Sequence, residues 1–495
     1  MNNRAGQFRQ VSLLIALVAL LCIPFADLSI TQLSPQQELL ELAKGAITPD
    51  FFATEFLIEA ILTTVAFAFE GIGLAVITGF AMALLYQWRS VRMVAALLRS
   101  VHELFWALLF MQVLGLSSLT GVLALWLPYT GIFAKVFGEI LEQVDPATTA
   151  ALPRQAGFSH KISQLIYARL PQAWPHITSY TRYRLECAMR SSIVLGFVGL
   201  PTLGYHLETA FRQGNYSEAA ALLYLFYLLI VTLPLWFKQR AFPLYVIGAM
   251  VYLPPVANIN TTLFINFFTV DLIPGPMRQP DWSMMDLGNW LGMLWQQQIG
   301  PGLWDTLVLS QIALLLTAVL ALIWFPLRTP ALLPKGLTRV GNLFLVVGRS
   351  TPEFVLAFVG LLVFGPSMLP AILALGIHNG AIIGHLVGGY VQSLPLREDD
   401  QPNGFSKLAL YLYQLLPRAY PQFISWLLYR WEIIQRETAI LGILGISTLG
   451  FYIDSAFEEL RFDRAMVLIA ATALLNLVVD ATARALRRRL NPQTT

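Results

Sequence analysis

Long apolar runs, each about as long as is needed to cross roughly 30 Å of hydrocarbon, recur along the chain. They fall at about 11–30, 55–87, 91–114, 118–141, 172–198 and 217–237, and again at about 241–256, 300–327, 338–363, 367–392, 420–446 and 464–486. The pattern predicts about twelve transmembrane helices, six in each half. Cationic residues gather at alternate ends of consecutive runs: Arg4 and Arg9, Arg89 and Arg92, the stretches 154–169, 328–339 and 397–418, Lys238 and Arg240, and Arg484 with Arg487, Arg488 and Arg489. On the positive-inside rule this places both termini in the cytoplasm. The first run, Val11 to Pro24 behind Arg4 and Arg9, has the outline of a signal peptide but no Ala-x-Ala site, so an uncleaved first span is expected.

Composition agrees with a bilayer environment. Apolar residues make up 56% of the chain and charged ones 12%, which excludes an ordinary soluble domain. The net charge of +3 comes with no long basic run, so no nucleic-acid partner is expected. Cys22 and Cys187 lie in separate apolar runs, which predicts neither a disulfide nor a metal site. No cofactor is expected either. The chain has no Gly-x-x-x-x-Gly-Lys-Ser/Thr loop, so it does not cradle nucleotide phosphates in the usual way.

An internal repeat carries the most information. Pro171–Phe211 and Pro417–Phe457 are one segment written twice, with about sixteen of forty-one positions identical. Tyr183-Arg184-x-Glu186, Arg190, Leu195-Gly196-x-x-Gly199 and Thr202-Leu203-Gly204 return as Tyr429-Arg430-x-Glu432, Arg436, Leu441-Gly442-x-x-Gly445 and Thr448-Leu449-Gly450. A charge near a span's centre costs about 2.5–3.5 kcal/mol even on the lenient scale, so charges kept twice imply a role. On a helix Tyr183, Glu186 and Arg190 share one face, as do Tyr429, Glu432 and Arg436. Two readings are open: packing ion pairs, or two arginine-bearing faces lining a pathway in which guanidinium groups meet an oxyanion. Arg99 and Glu103 match Arg349 and Glu353 at the third spans, where a gate or a clamp is the preferred reading over a plain ion pair. In the fourth spans Gly376, Gly380, Gly384 and Gly388 form a stripe that predicts a close helix seam, and His378 and His385 are read as polar seam residues.

Between the fourth and fifth spans each half has a polar loop, about 145–170 and about 397–417. Each runs from a Gly-Phe-Ser to a Leu-Pro: Gly157, Phe158, Ser159 to Leu170, Pro171, and Gly404, Phe405, Ser406 to Leu416, Pro417. These loops resemble the coupling motif of ATP-binding-cassette importer permeases, whose short helix docks into an ATPase subunit. Glu398 matches the motif's acidic start in the second half, and Ala151 is nearest in the first. The surrounding sequence, from Arg99-Ser100-Val101-His102-Glu103 through the Leu-Pro element to Leu-Gly-x-x-Gly, is similar to the phosphonate-importer permease family. That family supplies one such unit per chain, whereas this chain resembles two fused units. Its turns, Gly199-Leu200-Pro201-Thr202-Leu203-Gly204 and Gly445-Ile446-Ser447-Thr448-Leu449-Gly450, depart from the family's Gly-Ala-Gly-Gly-Ile-Gly.

The resemblance implies an all-α polytopic membrane protein of the type I importer permease fold. Its two six-helix halves, 1–239 and 240–495, would be related by a pseudo-two-fold axis. The resemblance further implies a non-enzymatic transport subunit of a bacterial inner membrane, surrounded by lipid. Its partners would be two copies of a cytoplasmic ATPase and a periplasmic binding protein that delivers phosphonate, phosphite or a related small anion. Two alternatives stay open: a permease for another small solute such as an amino acid, and an ion-coupled secondary transporter using the buried glutamates.

Overall fold

In a bilayer each backbone polar group must be satisfied within its own segment, and apolar runs of this length do so as helices. The computed structural model describes residues 2–144, 162–254, 261–395 and 406–490, with no strand among them. The helices of ten or more residues in the first half are α1 (Asn2–Cys22), α2 (Pro35–Ile47), α3 (Leu57–Leu84), α4 (Arg89–Ser100), α5 (Glu103–Leu114), α6 (Ser118–Glu142), α7 (Leu170–Gly196), α8 (Leu203–Arg212) and α9 (Tyr216–Trp236). They continue as α10 (Phe242–Tyr252), α11 (Met284–Leu294), α12 (Gly300–Trp324), α13 (Lys335–Ser350), α14 (Glu353–Phe364), α15 (Met368–Ser393), α16 (Leu416–Ile440), α17 (Leu449–Glu458) and α18 (Phe462–Leu490).

Among the described residues, seven segments are long and apolar enough to cross a membrane, or ten if each of three bent pairs counts as one span. The difference from twelve has local causes. Neither third span is straight: α4 and α5 meet at 87°, and α13 and α14 at 91°. The second break falls at Pro352, which has no N–H to continue a helix. The first falls at His102, whose Nδ1 accepts from the Leu104 N–H at 3.2 Å and caps α5. The run at 172–198 is the 27-residue α7, whose charged residues keep it from qualifying by hydropathy. The run at 241–256 contains only the 11-residue α10, about 16 Å long at 1.5 Å per residue.

The helices pack as two compact units, Lys44–Phe264 and Met1–Ala43 with Ile265–Thr495. These bounds cut across the division at residues 239 and 240, because the first span of each half packs on the second span of the other. In one unit α10 lies on α3: Tyr245 stacks on Phe69 with ring centroids 5.0 Å apart, and a Cβ on Gly73 would come within 2.6 Å of Val246. In the other unit α1 lies on α12, where Phe25 meets Trp304 edge-on at 5.3 Å.

Each unit's core is the contact of its second and fourth spans, α3 with α6 and α12 with α15. The glycine stripe is a seam. Cβ atoms on Gly376, Gly380 and Gly388 would run into Leu316, Leu320 and Arg328, all on α12 or the turn that continues it. In the unit Lys44–Phe264 the bare backbone sits on the other partner: a Cβ on Gly71 would meet Leu125 at 2.7 Å, and one on Gly79 would meet Phe133 at 2.5 Å.

The Leu-Gly-x-x-Gly turns have a physical explanation that is the same in both units. The first glycine lets the start of the next helix touch the end of the last, since a Cβ on Gly196 would strike the Tyr205 N and one on Gly442 the Phe451 N. The second takes a left-handed φ, +92° at Gly199 and +84° at Gly445. A threonine from the second span then caps the following helix: Thr64 Oγ1 accepts from the Leu203 N–H at 2.9 Å, and Thr306 Oγ1 from the Leu449 N–H at 3.0 Å. Nothing lies within 4 Å of a Cβ placed on Gly445. Gly445→Ala therefore isolates the backbone term, and a loss of about 1–2 kcal/mol is expected, read as a modest fall in the thermal midpoint in detergent. An unchanged midpoint would mean that the turn relaxes to an ordinary φ.

Candidate functional site

The two Leu-Pro elements open the fifth spans in the same way. A turn of π-helix, Leu165–Arg169 or Leu410–Leu415, leads into Leu170-Pro171 at the start of α7 and Leu416-Pro417 at the start of α16. Each entry is tied to the end of the fourth-span segment by an arginine. Arg169 Nη2 donates to the Leu141 carbonyl at 2.6 Å, and Arg418 Nη1 to the Pro395 carbonyl at 2.8 Å. Ser406 caps the short helix before the second element, its Oγ accepting from the Ala409 N–H at 3.1 Å. Gly157, Phe158, Ser159, Glu398, Gly404 and Phe405 lie outside the described residues.

Farther along α7 and α16 the repeated residues keep matching exposure. Tyr183 and Tyr429 are exposed, and Glu186, Arg190, Glu432 and Arg436 are half-buried. Arg190 Nη2 donates to Cys187 Sγ at 3.3 Å. Tyr429 lies under the Arg487 guanidinium, 5.5 Å from ring centre to Cζ. Tyr183 lines a cavity of about 530 Å³ with Gln143, Gln172, His176, Ser179 and Tyr180. In the other unit Trp426 and Tyr390, at the positions of Tyr180 and Ile140, pack edge-on at 6.1 Å.

The third-span breaks put Arg99 and Glu103 on different helices, Arg99 closing α4 and Glu103 opening α5. Arg349 and Glu353 divide in the same way between α13 and α14. Each glutamate starts a helix, where the dipole favours a negative charge, and each reaches into the fourth and fifth spans. Glu103, 8% exposed, accepts from Ser191 Oγ at 2.6 Å and lies 3.4 Å from His102 Nε2. The Tyr129 hydroxyl is 3.3 Å from the same serine.

In the other unit the equivalent place is ionic. Glu353 Oε2 lies 3.5 Å from His378 Nε2. Asn379 Nδ2 donates to Glu437 Oε2 at 3.2 Å, Arg430 Nε donates to Asn379 Oδ1 at 2.7 Å, and Arg430 Nη2 is 4.0 Å from Glu437 Oε1. Ligand atoms of Glu353, His378 and Glu437 all fall within 4.8 Å of one another. Such a trio can share a proton or hold a divalent cation, and with Arg430 it joins α14, α15 and α16.

Several of these residues escape a search for repeated charges. Glu437 occupies the repeat position of Ser191, so the position shows as a difference rather than as a kept residue. Arg430 is repeated as Arg184, yet the two differ in surroundings. Arg184 Nε donates to the Tyr180 hydroxyl at 2.7 Å, with the guanidinium 5.1 Å and 5.4 Å from the Tyr180 and Tyr183 ring centres.

Comparison with known proteins agrees with this architecture. Residues 331–492 match the family described as binding-protein-dependent transport system inner membrane component. The phosphate-import permease protein PhnE of Mycolicibacterium smegmatis is 24% identical over 81% of this chain and 77% of its own length. The phosphite transport system permease protein PtxC of Stutzerimonas stutzeri is 33% identical over 238 residues, which are 46% of this chain and 85% of that relative. A relative of that length is little more than half as long as this chain. The putative cryptic phosphonate transport system permease protein PhnE2 of Escherichia coli is 33% identical over 23% of this chain and 89% of its own. No solved structure matches. A 33% identity across most of one relative, with a family match over the second half, settles the assignment: the chain belongs to the binding-protein-dependent transport system inner membrane components.

Proposed function

We propose that the chain supplies two permease halves of an ATP-driven importer, moving phosphonate, phosphite or a related small oxyanion into the cytoplasm. The observation that carries this reading is the repeated entry to the fifth span: a π-turn, Leu-Pro, and an arginine tie to the fourth-span segment, once in each unit. A rigid lever anchored at the mouth of each polar loop is what a docked motor needs in order to move the bundle. In this reading each loop receives one copy of a cytoplasmic ATPase, a periplasmic binding protein supplies the solute on the opposite side, and both termini are cytoplasmic. ATP binding and hydrolysis bias an inward-open against an outward-open arrangement. Phosphonate and phosphite come from the names of the relatives. The half-buried Arg190 and Arg436 are the proposed contacts for the anion.

The Glu353, His378 and Glu437 trio favours one other reading, a carrier driven by protons. Reconstitution separates the two. Vesicles holding the chain with its ATPase and binding protein are expected to accumulate radiolabelled phosphite only with internal-facing ATP, and Gly157→Trp with Gly404→Trp is expected to abolish both ATPase co-purification and uptake. Accumulation by the chain alone under an imposed proton gradient would overturn the ATP-driven reading in favour of the carrier.

A further inference from the structure

A second cavity, of about 510 Å³, opens in the unit Lys44–Phe264 beside the entry to α7. Its walls are aromatic, with Phe80 on α3, Phe137 on α6, Trp174 on α7 and Phe242 at the start of α10. Two cations line it as well, Arg182 from α7 and Arg240 from the α9–α10 linker, and its lining holds no acidic residue. Among the described residues neither guanidinium has an ion pair. A small hydrophilic anion would find little to bind on those walls, and an alkyl chain alone would leave the two charges unanswered. An amphiphile with an anionic head satisfies both.

The other unit shows why the space is there. Its first-span helix, α1, has 21 residues where α10 has 11, the two aligning at Pro24 and Pro254. At the position aligned with Phe242, Ser12 Oγ meets the hydroxyl of Tyr420, the counterpart of Trp174, at 2.5 Å, and α1 continues as helix to Asn2. The matching stretch before α10 is an extended linker and a short 3₁₀ turn, Gln239–Ala241. The repeat also replaces Arg182 with Leu428 and Thr181 with Leu427, both buried. The features that line the cavity in the unit Lys44–Phe264 are therefore not repeated at the equivalent positions of the other unit.

We infer that this cavity binds one anionic phospholipid, with an acyl chain between the aromatic walls and the phosphodiester held by Arg182 and Arg240. The lipid would come from the leaflet on the side of the Leu-Pro elements. Basic pockets between membrane helices take anionic headgroups by this charge matching, and the volume lies within the roughly 300–1,000 Å³ of ordinary ligand sites. The inference is independent of the transported solute and of the ATPase.

Native mass spectrometry of the delipidated full chain, titrated with phosphatidylglycerol or phosphatidylethanolamine of identical acyl chains, tests it. Wild-type protein is expected to hold one phosphatidylglycerol at least tenfold more tightly than phosphatidylethanolamine. Arg182→Leu with Arg240→Gln is expected to abolish that preference while leaving phosphatidylethanolamine binding and the thermal midpoint unchanged. Thr178→Trp, which fills the cavity from its lining, is expected to lower occupancy by both lipids. Equal binding of the two lipids by wild-type protein, or an unchanged preference in the double variant, overturns the proposal. Displacement of phosphatidylglycerol by millimolar inorganic phosphate would overturn it as well, since the site would then serve a free anion.

Discussion

Replacing Arg430 with Leu is expected to destabilise the protein by about 3–5 kcal/mol, the cost of leaving a buried charge without its partner. The side chain is 8% exposed and serves Asn379 and Glu437 at once. Without it Glu437 and Glu353 stay near His378 with one neutralising group fewer, and Asn379 Oδ1 loses its donor. The repeat supplies an internal control. Arg184→Leu removes the same residue type from the same helical position, but there the guanidinium is half-buried and rests on two tyrosine rings, worth about 1 kcal/mol. Thermal unfolding in detergent should show a fall for Arg430→Leu several times that for Arg184→Leu. Adding Glu437→Ser, the residue the other half carries as Ser191, should recover most of the loss, because removing both members of a buried pair costs far less than removing one. Equal falls for the two leucine variants would mean that the cluster around Arg430 is not held by charge.

The contrast between Arg184 and Arg430 also marks how far the sequence could be read. The repeat, the helical class and the paired Leu-Pro elements were legible because they rest on identities kept at a constant offset or on runs of apolar residues. The third-span breaks were hidden inside such a run: Pro352 signals the second, but Val101-His102 in the first half carries no breaker, and the turn there is held by a histidine cap. The run at 241–256 counts as a span by hydropathy although its helix ends at Tyr252, ahead of Leu253-Pro254. Crossing of the first spans between the packing units leaves no trace in either half taken alone, since α1 and α10 are each simply apolar.

The candidate site divides along the same line. Charges present in both halves, such as Glu103 and Glu353, were visible, but their partners were not. Ser191 and Tyr129 answer Glu103, whereas His378, Glu437 and Asn379 gather with Glu353 and Arg430. The matched glutamates are kept, and their partners are where the two sets of residues differ. Glu103 accepts from Ser191 and lies beside His102, whereas Glu353 lies beside His378 and the Arg430–Glu437 pair.

The half-buried arginines that the repeat preserves lead to the largest functional effect. Arg190→Gln with Arg436→Gln is expected to reduce ATP-dependent phosphite uptake below detection in vesicles that also contain the ATPase and binding protein. A hydrogen bond to a charged group is worth about 1.5–3 kcal/mol, so each arginine that meets the anion contributes roughly ten- to a hundredfold, and the pair multiplies. Both side chains are half-buried at equivalent positions of α7 and α16, neither open to bulk water nor sealed in the core. Glutamine keeps much of the size and some hydrogen bonding, so insertion and the thermal midpoint should change little, and the ATPase should still co-purify. Lysine at both positions restores charge without the planar fork that matches an oxyanion, and partial uptake with a raised KM is expected. Uptake by the double glutamine variant at the wild-type KM, or loss of uptake only in step with loss of folded protein, would assign Arg190 and Arg436 to packing and move the anion's path elsewhere in the bundle.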